Sequence, residues 1–196
     1  MQDKQEIARD WLPRYTGMQL KDFGQYILLT NFSEYVENFA NRYNADIFGE
    51  KKPMQAASNN EGLTIINFGM GSPNAATIMD LLVACSPKGV LFLGKCGGLK
   101  ETTEIGHFIL PIASIRGDGT SKDYFPEEVP ALPSFKLHKF VSEKIIEQGQ
   151  EYRTGVIYTT NRRVWEHDKS FLDHLKKTTC IGIDMETATI FIVGHY

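Results

Sequence analysis

Five short apolar runs punctuate the chain: Tyr26-Ile27-Leu28-Leu29, Leu63-Thr64-Ile65-Ile66-Asn67-Phe68, Val90-Leu91-Phe92-Leu93, Phe108-Ile109-Leu110-Pro111-Ile112-Ala113 and Gly155-Val156-Ile157-Tyr158-Thr159. They are continuous rather than alternating, so they predict sheet strands buried on both faces. Between them the spacing turns helical. Val36, Phe39 and Tyr43 form an i, i+3, i+7 stripe behind a cap at Ser33. Ser72-Pro73 ahead of Ile78, Leu81 and Leu82 predicts an N-cap followed by proline at the first helical position. Ser134 is placed to cap a third helix carrying Leu137, Val141 and Ile145, and a last helix opens near Met185 and runs through Ile190 and Val193. Strands alternating with helices predict an α/β sheet covered on both faces. From Arg116 to Pro133 the chain carries Gly117, Gly119, Pro126, Pro130 and Pro133, the composition of a long loop, and long loops in compact domains are often functional. No internal repeat or linker divides the chain, so residues 1–196 read as one domain.

Composition narrows the function classes. A net charge of −3 gives no bulk attraction to nucleic acid or acidic membranes, so any bound anion needs a local cluster of donors. Cys85, Cys96 and Cys180 form no C-x-x-C pair and no cysteine–histidine spacing suited to zinc, which predicts no metal and a reducing cytoplasm. The opening Met1-Gln2-Asp3-Lys4-Gln5-Glu6 is polar, and no apolar run approaches the ~20 residues that span a bilayer. These features predict a soluble cytoplasmic protein without a cofactor.

Three segments could carry chemistry. Phe68-Gly69-Met70-Gly71-Ser72-Pro73 joins a strand to a helix through glycines, which let a backbone approach a ligand, and a helix N-terminus favours electron-rich groups. A tight turn with no ligand explains it equally well. Leu93-Gly94-Lys95-Cys96-Gly97-Gly98 also follows a strand, where ligands of open α/β sheets gather, but it has neither the dinucleotide nor the P-loop spacing. Lys95 could face an anion or simply water. In Ile183-Asp184-Met185-Glu186-Thr187-Ala188 acids open an apolar helix, which the macrodipole alone would favour, yet Glu186 could also accept two hydrogen bonds from adjacent ribose hydroxyls. Arg162-Arg163-Val164-Trp165 offers two cations and a ring for a phosphate and a base, or an exposed basic turn beside a core tryptophan. His107, His138, His167, His174 and His195 show no triad or metal spacing.

In order, Gly69-Met70-Gly71-Ser72-Pro73, Gly94-Lys95-Cys96-Gly97 and Asp184-Met185-Glu186 resemble the turns of the nucleoside phosphorylase and nucleosidase superfamily. Ala113-Ser114-Ile115-Arg116-Gly117-Asp118-Gly119-Thr120-Ser121 looks like the matching loop of uridine phosphorylases. Trp11-Leu12-Pro13-Arg14-Tyr15-Thr16-Gly17, Leu28-Leu29-Thr30-Asn31-Phe32 and Tyr35-Val36 resemble the start of the catalytic domain in the AMP nucleosidase branch. The resemblance implies a three-layer α/β/α fold with a central mixed sheet, a cytoplasmic homohexamer, and hydrolysis of AMP to adenine and ribose 5-phosphate. It places Met185 against the ribose, Glu186 on its hydroxyls, Gly71 and the Gly94–Gly97 turn beside the substrate, and Trp165 or Arg163 along the base. Lys95, Arg116, Arg162 and Arg163 stay open as holders of the 5′-phosphate.

Two departures matter. Phosphorolytic members carry a Pro-Gly-Asp-Pro turn with a nearby arginine, where this chain reads Thr30-Asn31-Phe32-Ser33-Glu34-Tyr35, and an arginine where it has Phe92-Leu93. A phosphate nucleophile needs cationic donors, so water is the expected nucleophile. The alternatives are a purine or uridine nucleoside phosphorylase using phosphate, or a nucleotide-binding homologue without catalysis. The second departure is the C-terminus: the chain closes on Gly194-His195-Tyr196, before the place of the family's leaving-group aspartate, so a missing final strand and helix are expected.

Overall fold

The structure, a computed structural model, describes residues 3–196; Met1 and Gln2 of the polar N-terminal stretch lie outside the described residues. The elements run α1 (Lys4–Thr16), β1 (Tyr26–Thr30), α2 (Ser33–Tyr43), β2 (Gln55–Ser58), β3 (Leu63–Asn67), α3 (Ser72–Leu81), β4 (Gly89–Leu93), β5 (Gly97–Gly98), β6 (Phe108–Gly117), α4 (Phe135–Glu147), β7 (Tyr152–Thr160), α5 (Lys169–Thr178), β8 (Gly182–Asp184) and α6 (Thr187–Val193). They form two compact units, one ending at Gly94 and one starting at Lys95. Each unit holds a mixed four-stranded sheet, so the α/β class stands, with its strands shared between two sheets.

In the first unit the strand order is β2-β3-β1-β4. β1 runs parallel to β3 and β4, and Thr30 lies level with Asn67 and Leu93, so the three carboxyl ends finish together. β2 returns antiparallel to β3. Successive side chains of a strand face opposite ways. Ile65 therefore joins Ala57 beneath Val36 and Ala40 of α2, with Leu28, Tyr35 and Phe39 packed against them. Ile66 and Leu29, one position further along, are also fully buried, as expected for strands covered on both sides. Each such aliphatic side chain contributes about 1.5–3 kcal/mol when removed from water. Gly24 is obligatory, because a Cβ there would lie 2.2 Å from the Gly62 carbonyl oxygen.

The second unit has the order β5-β8-β7-β6, with β6, β7 and β8 parallel and β5 antiparallel to β8. Pro111 cannot donate to the ladder, and the β6–β7 register slips between Pro111 and Ala113, a bulge that leaves Ile112 unmatched. α6 buries Ala188 and Ile192 against Ala131, with Tyr124, Phe125 and Val129 of the long loop packed around them.

Several expected boundaries move. Ser33 does not cap α2 but is its first residue, and its hydroxyl accepts instead from Asn67 Nδ2 at 3.1 Å. At α3 the cap is Gly71, whose φ of 95° and ψ of 155° are strained for side-chain-bearing residues, and Ser72 and Pro73 fall inside the helix. α4 begins after Ser134 as expected, although the serine side chain makes no capping bond. α6 starts at Thr187, two residues beyond Met185. β4 follows its apolar run with Gly89 added, whereas β6 continues past Ala113 to Gly117, into the start of the expected loop, and the residues of both are mostly half-buried rather than covered on both faces. Two helices have no counterpart in the sequence reading. α1 opens on a capping box in which Asp3 Oδ1 accepts from the Glu6 N–H at 2.8 Å and Glu6 Oε2 from the Asp3 N–H at 3.3 Å. α5 opens on Asp168, which accepts from the Phe171 N–H at 3.0 Å.

Candidate functional site

Ligands of parallel sheets collect at the carboxyl ends of the strands. In the second unit Arg116 of β6 lies level with Thr159 of β7, and Thr159 level with Asp184 of β8. The antiparallel pairing of β5 sets Gly97 opposite Ile183, which brings Cys96 to the side of Asp184. Part of the glycine turn and the whole Asp184-Met185-Glu186 segment therefore meet at one point.

Asp184 is buried beneath that point. Its Oδ1 accepts from Thr159 Oγ1 at 2.7 Å, and its Oδ2 accepts from the Thr187 N–H at 2.8 Å and from the Thr187 hydroxyl. Burial pushes its carboxyl above the ordinary value, and the donors from Thr187 and Thr159 pull it back. Thr159 Oγ1 also takes the Ala188 N–H at 2.9 Å and lies 2.8 Å from Ser114 Oγ. Glu186, only 2% exposed, has its Oε2 3.2 Å from the Met185 N–H that donates to it. Met185 beside it is half-buried. Although Cys96 as a residue is exposed, its thiol is pushed up to about 11, by desolvation first and by the Asp184 charge second, so it stays protonated near neutrality.

Arg116 is engaged by its own loop. Its guanidinium donates through Nε to Ser121 Oγ (3.0 Å), through Nη1 to the carbonyls of Pro126 and Val129 (the latter 2.8 Å), and through Nη2 to those of Ser121 and Phe125, both at 2.7 Å. Those five bonds occupy all five N–H groups, leaving no donor for a 5′-phosphate. Arg116 is instead the hub that shapes the loop after β6. Asp118 completes the hub, since its carboxylate accepts from the Ser121 N–H and hydroxyl, each at 2.9 Å, and from the Thr189 hydroxyl of α6.

The basic turn after β7 is also organised. Arg162 pairs with Asp168 at 2.9 Å and lies 5.0 Å over the Phe171 ring, while Trp165 meets that ring edge-on at 5.9 Å. Arg163 is more exposed and 3.6 Å from Glu166. Trp165 thus belongs to an aromatic cluster with Tyr158, Phe171 and His174. Lys95 is exposed in its turn.

In the first unit, the Gly69-Met70-Gly71 turn at the end of β3 is fixed by Asn67 Oδ1 accepting from the Gly69 N–H (3.0 Å) and by Asn74 Nδ2 donating to the Met70 carbonyl (3.0 Å). A Cβ at Gly94 would lie 2.5 Å from Phe92 Cζ, so a side chain there would require the Phe92 ring to shift. Among the described residues no group of three His, Cys, Asp or Glu side chains could hold a metal ion, and no helix is long and apolar enough to cross a membrane. Thr159, Thr187 and Asp118 escaped the sequence reading. Such residues near strand and helix ends are common, and only the bonds that tie Thr159 and Thr187 to Asp184, and Asp118 to Thr189, mark them.

Comparison with known proteins places these turns in context. The family described as the Phosphorylase superfamily matches residues 25–196. The crystal structure of AMP nucleosidase from Bacteroides thetaiotaomicron superposes with a TM-score of 0.96 at 59% identity, covering 98% of this chain and 84% of that one. The AMP nucleosidase of Escherichia coli is 29% identical over 94% of this chain and 47% of its own length, so this chain spans about half of that curated relative. Uridine phosphorylase from Vibrio fischeri, at 23% identity and a TM-score of 0.82 over 90% of this chain and 75% of that one, shares the fold.

Proposed function

The chain belongs to the phosphorylase superfamily, and from that premise we propose that it is an N-glycosidase that hydrolyses AMP to adenine and ribose 5-phosphate. The observation that most supports this is the Asp184-Met185-Glu186 turn at the carboxyl end of β8, joined to Cys96 and Gly97 through β5. A buried carboxylate next to a half-buried thioether suits a sugar. Glu186 accepts the two adjacent ribose hydroxyls, and Met185 lies against the carbon face of the ring. The 59% identity to the Bacteroides enzyme supports AMP as the substrate.

In the reaction, water adds to C1′ as the bond to the adenine nitrogen breaks. The bonding electrons leave with adenine, one proton of the water passes to the base, and the hydroxyl remains on the sugar. Positive charge builds on the sugar at the transition state, and the Glu186 carboxylate stabilises it. With Arg116 committed to its loop, the candidate holders of the 5′-phosphate are Lys95, in the turn that carries Cys96, and Arg162 and Arg163 after β7. Gly71 and Trp165 remain substrate-lining candidates, each within its own unit. Residues 1–196 act as one catalytic domain in the cytoplasm, consistent with three free thiols, and assemble as a homo-oligomer, a hexamer. Phe135, Phe140 and Ile146, exposed on α4, favour such self-association.

The test is adenine release from AMP in phosphate-free buffer. Equal amounts of adenine and ribose 5-phosphate are expected. Turnover that appears only when phosphate is added would replace hydrolysis with phosphorolysis. Binding of AMP with no product would select the non-catalytic homologue.

A further inference from the structure

Helix N-termini present N–H groups that lack intrahelical partners, and the N-cap side chain normally takes one of them. α6 departs from that rule. Its N-cap is Glu186, with a φ of −135° and ψ of −36°, and the Glu186 side chain makes no capping bond. The Thr187 N–H goes to Asp184 Oδ2 and the Ala188 N–H to Thr159 Oγ1. Thr159 in turn donates to Asp184 Oδ1, so one buried pair, drawn from β7 and β8, closes the first turn of α6.

We infer that Asp184 and Thr159 are positioning residues: together they form a surrogate cap that fixes the backbone on both sides of Glu186 and aims its carboxylate at the sugar hydroxyls. This inference rests on the reading of Glu186 as the ribose holder. Three features carry it. The cap brackets Glu186, since Asp184 lies two residues before it and Thr187 and Ala188 directly after. The donors to Asp184 are Thr159 of β7, the Thr187 N–H and hydroxyl at the start of α6, and the backbone of Glu186 itself. A carboxylate is also a costly group to bury for capping alone, when serine or threonine at the same place would serve.

The consequence is specific. A carboxylate displaced by about an ångström loses its hydrogen bonds to the hydroxyls and its effect on the reaction together, at a cost on the order of 100-fold. General weakening of the fold would lower the affinity for every sugar phosphate alike. Loss of aim should instead erase the distinction between sugars that differ by one hydroxyl.

The experiment uses the full chain and calorimetric binding of two probes, ribose 5-phosphate and 2-deoxyribose 5-phosphate, which need no turnover. The unsubstituted protein should prefer the ribose probe by about 10- to 100-fold, as expected for a hydrogen bond to a charged group. Glu186→Gln should erase most of that preference. Asp184→Asn and Thr159→Val should erase it to a similar degree while the 2-deoxy probe still binds, and Thr159→Ser, which keeps the hydroxyl, should restore it. Preference lost in Glu186→Gln but intact in both Asp184→Asn and Thr159→Val would overturn the positioning role alone. Equal weakening of both probes in these two variants, with the preference preserved, would reduce the pair to a structural cap. An unsubstituted protein that binds neither probe, or shows no preference, would overturn the underlying reading of Glu186.

Discussion

Replacing Arg116 separates a loop-shaping residue from a phosphate-binding one. The side chain makes five hydrogen bonds to the segment from Ser121 to Val129. A hydrogen bond to a charged group contributes about 1.5–3 kcal/mol, so simple addition would give roughly 7–15 kcal/mol. That sum is too large, because bonds made by one side chain do not add and the freed carbonyls regain water once the loop opens. The loss is limited by the free energy of opening the loop, which puts Arg116→Ala at about 2–4 kcal/mol. In a protein of this size that lowers the melting temperature by roughly 5–15 °C. Arg116→Lys keeps the charge but offers three donors on a flexible stem in place of a planar fork, so it should lose most of the same stability. Thermal melting and amide hydrogen exchange across residues 119–129 read the effect. Unchanged melting and exchange in both variants, with AMP affinity lost in the alanine form and kept in the lysine form, would refute the loop role.

Gly71→Ala should cost about 1–3 kcal/mol, because a φ of 95° with ψ of 155° is strained for any side chain even though the nearest foreign atom, Pro73 Cδ, is 3.8 Å from the new Cβ; an unchanged denaturation midpoint would show that the turn relaxes freely. Asp168 accepts from the Phe171 N–H, from Arg162 and from Ser170, which hold its carboxyl down at about 2 against an ordinary 3.8. A depressed acid stabilises above its unfolded pKa and loses that contribution as pH falls, so the stability gap between the unsubstituted chain and Asp168→Asn should be full above about pH 4 and close toward pH 2, as read by denaturation at each pH. A gap that persists at pH 2 would contradict the assignment. Cys96, exposed but with its thiol pushed up to about 11, should be alkylated slowly at neutral pH, at a rate that climbs with pH toward that value; a plateau near pH 8.5 would mean an unperturbed thiol.

What the sequence revealed followed from how local each signal was. Leu63–Asn67 reads as a strand because its apolar run is continuous, and it is one, buried on both faces. Ser72-Pro73 marked a helix start correctly to within one residue, and the error came from a glycine conformation that no propensity encodes. The two-residue β5 and three-residue β8 are too short for periodicity to register, although their pairing is what joins Cys96 to Asp184. α1 was missed because its apolar stripe is sparse, while its capping box, Asp3 with Glu6, stood in plain view. For the site, Glu186 stood out through its place in an ordered set of turns. Arg116 stays open in the sequence because a cation followed by glycines looks the same whether it holds a ligand or its own loop. The carbonyls of Ser121, Phe125, Pro126 and Val129 converging on it appear only in the fold.

The most direct test of the central claim is adenine release from AMP, in phosphate-free buffer, by the unsubstituted chain and by Glu186→Gln, with melting curves for both. Glu186→Gln removes the charge and keeps the shape. The account predicts turnover in the first, a fall on the order of 100-fold or more in the second, and closely similar melting. Equal turnover by the two proteins would contradict it.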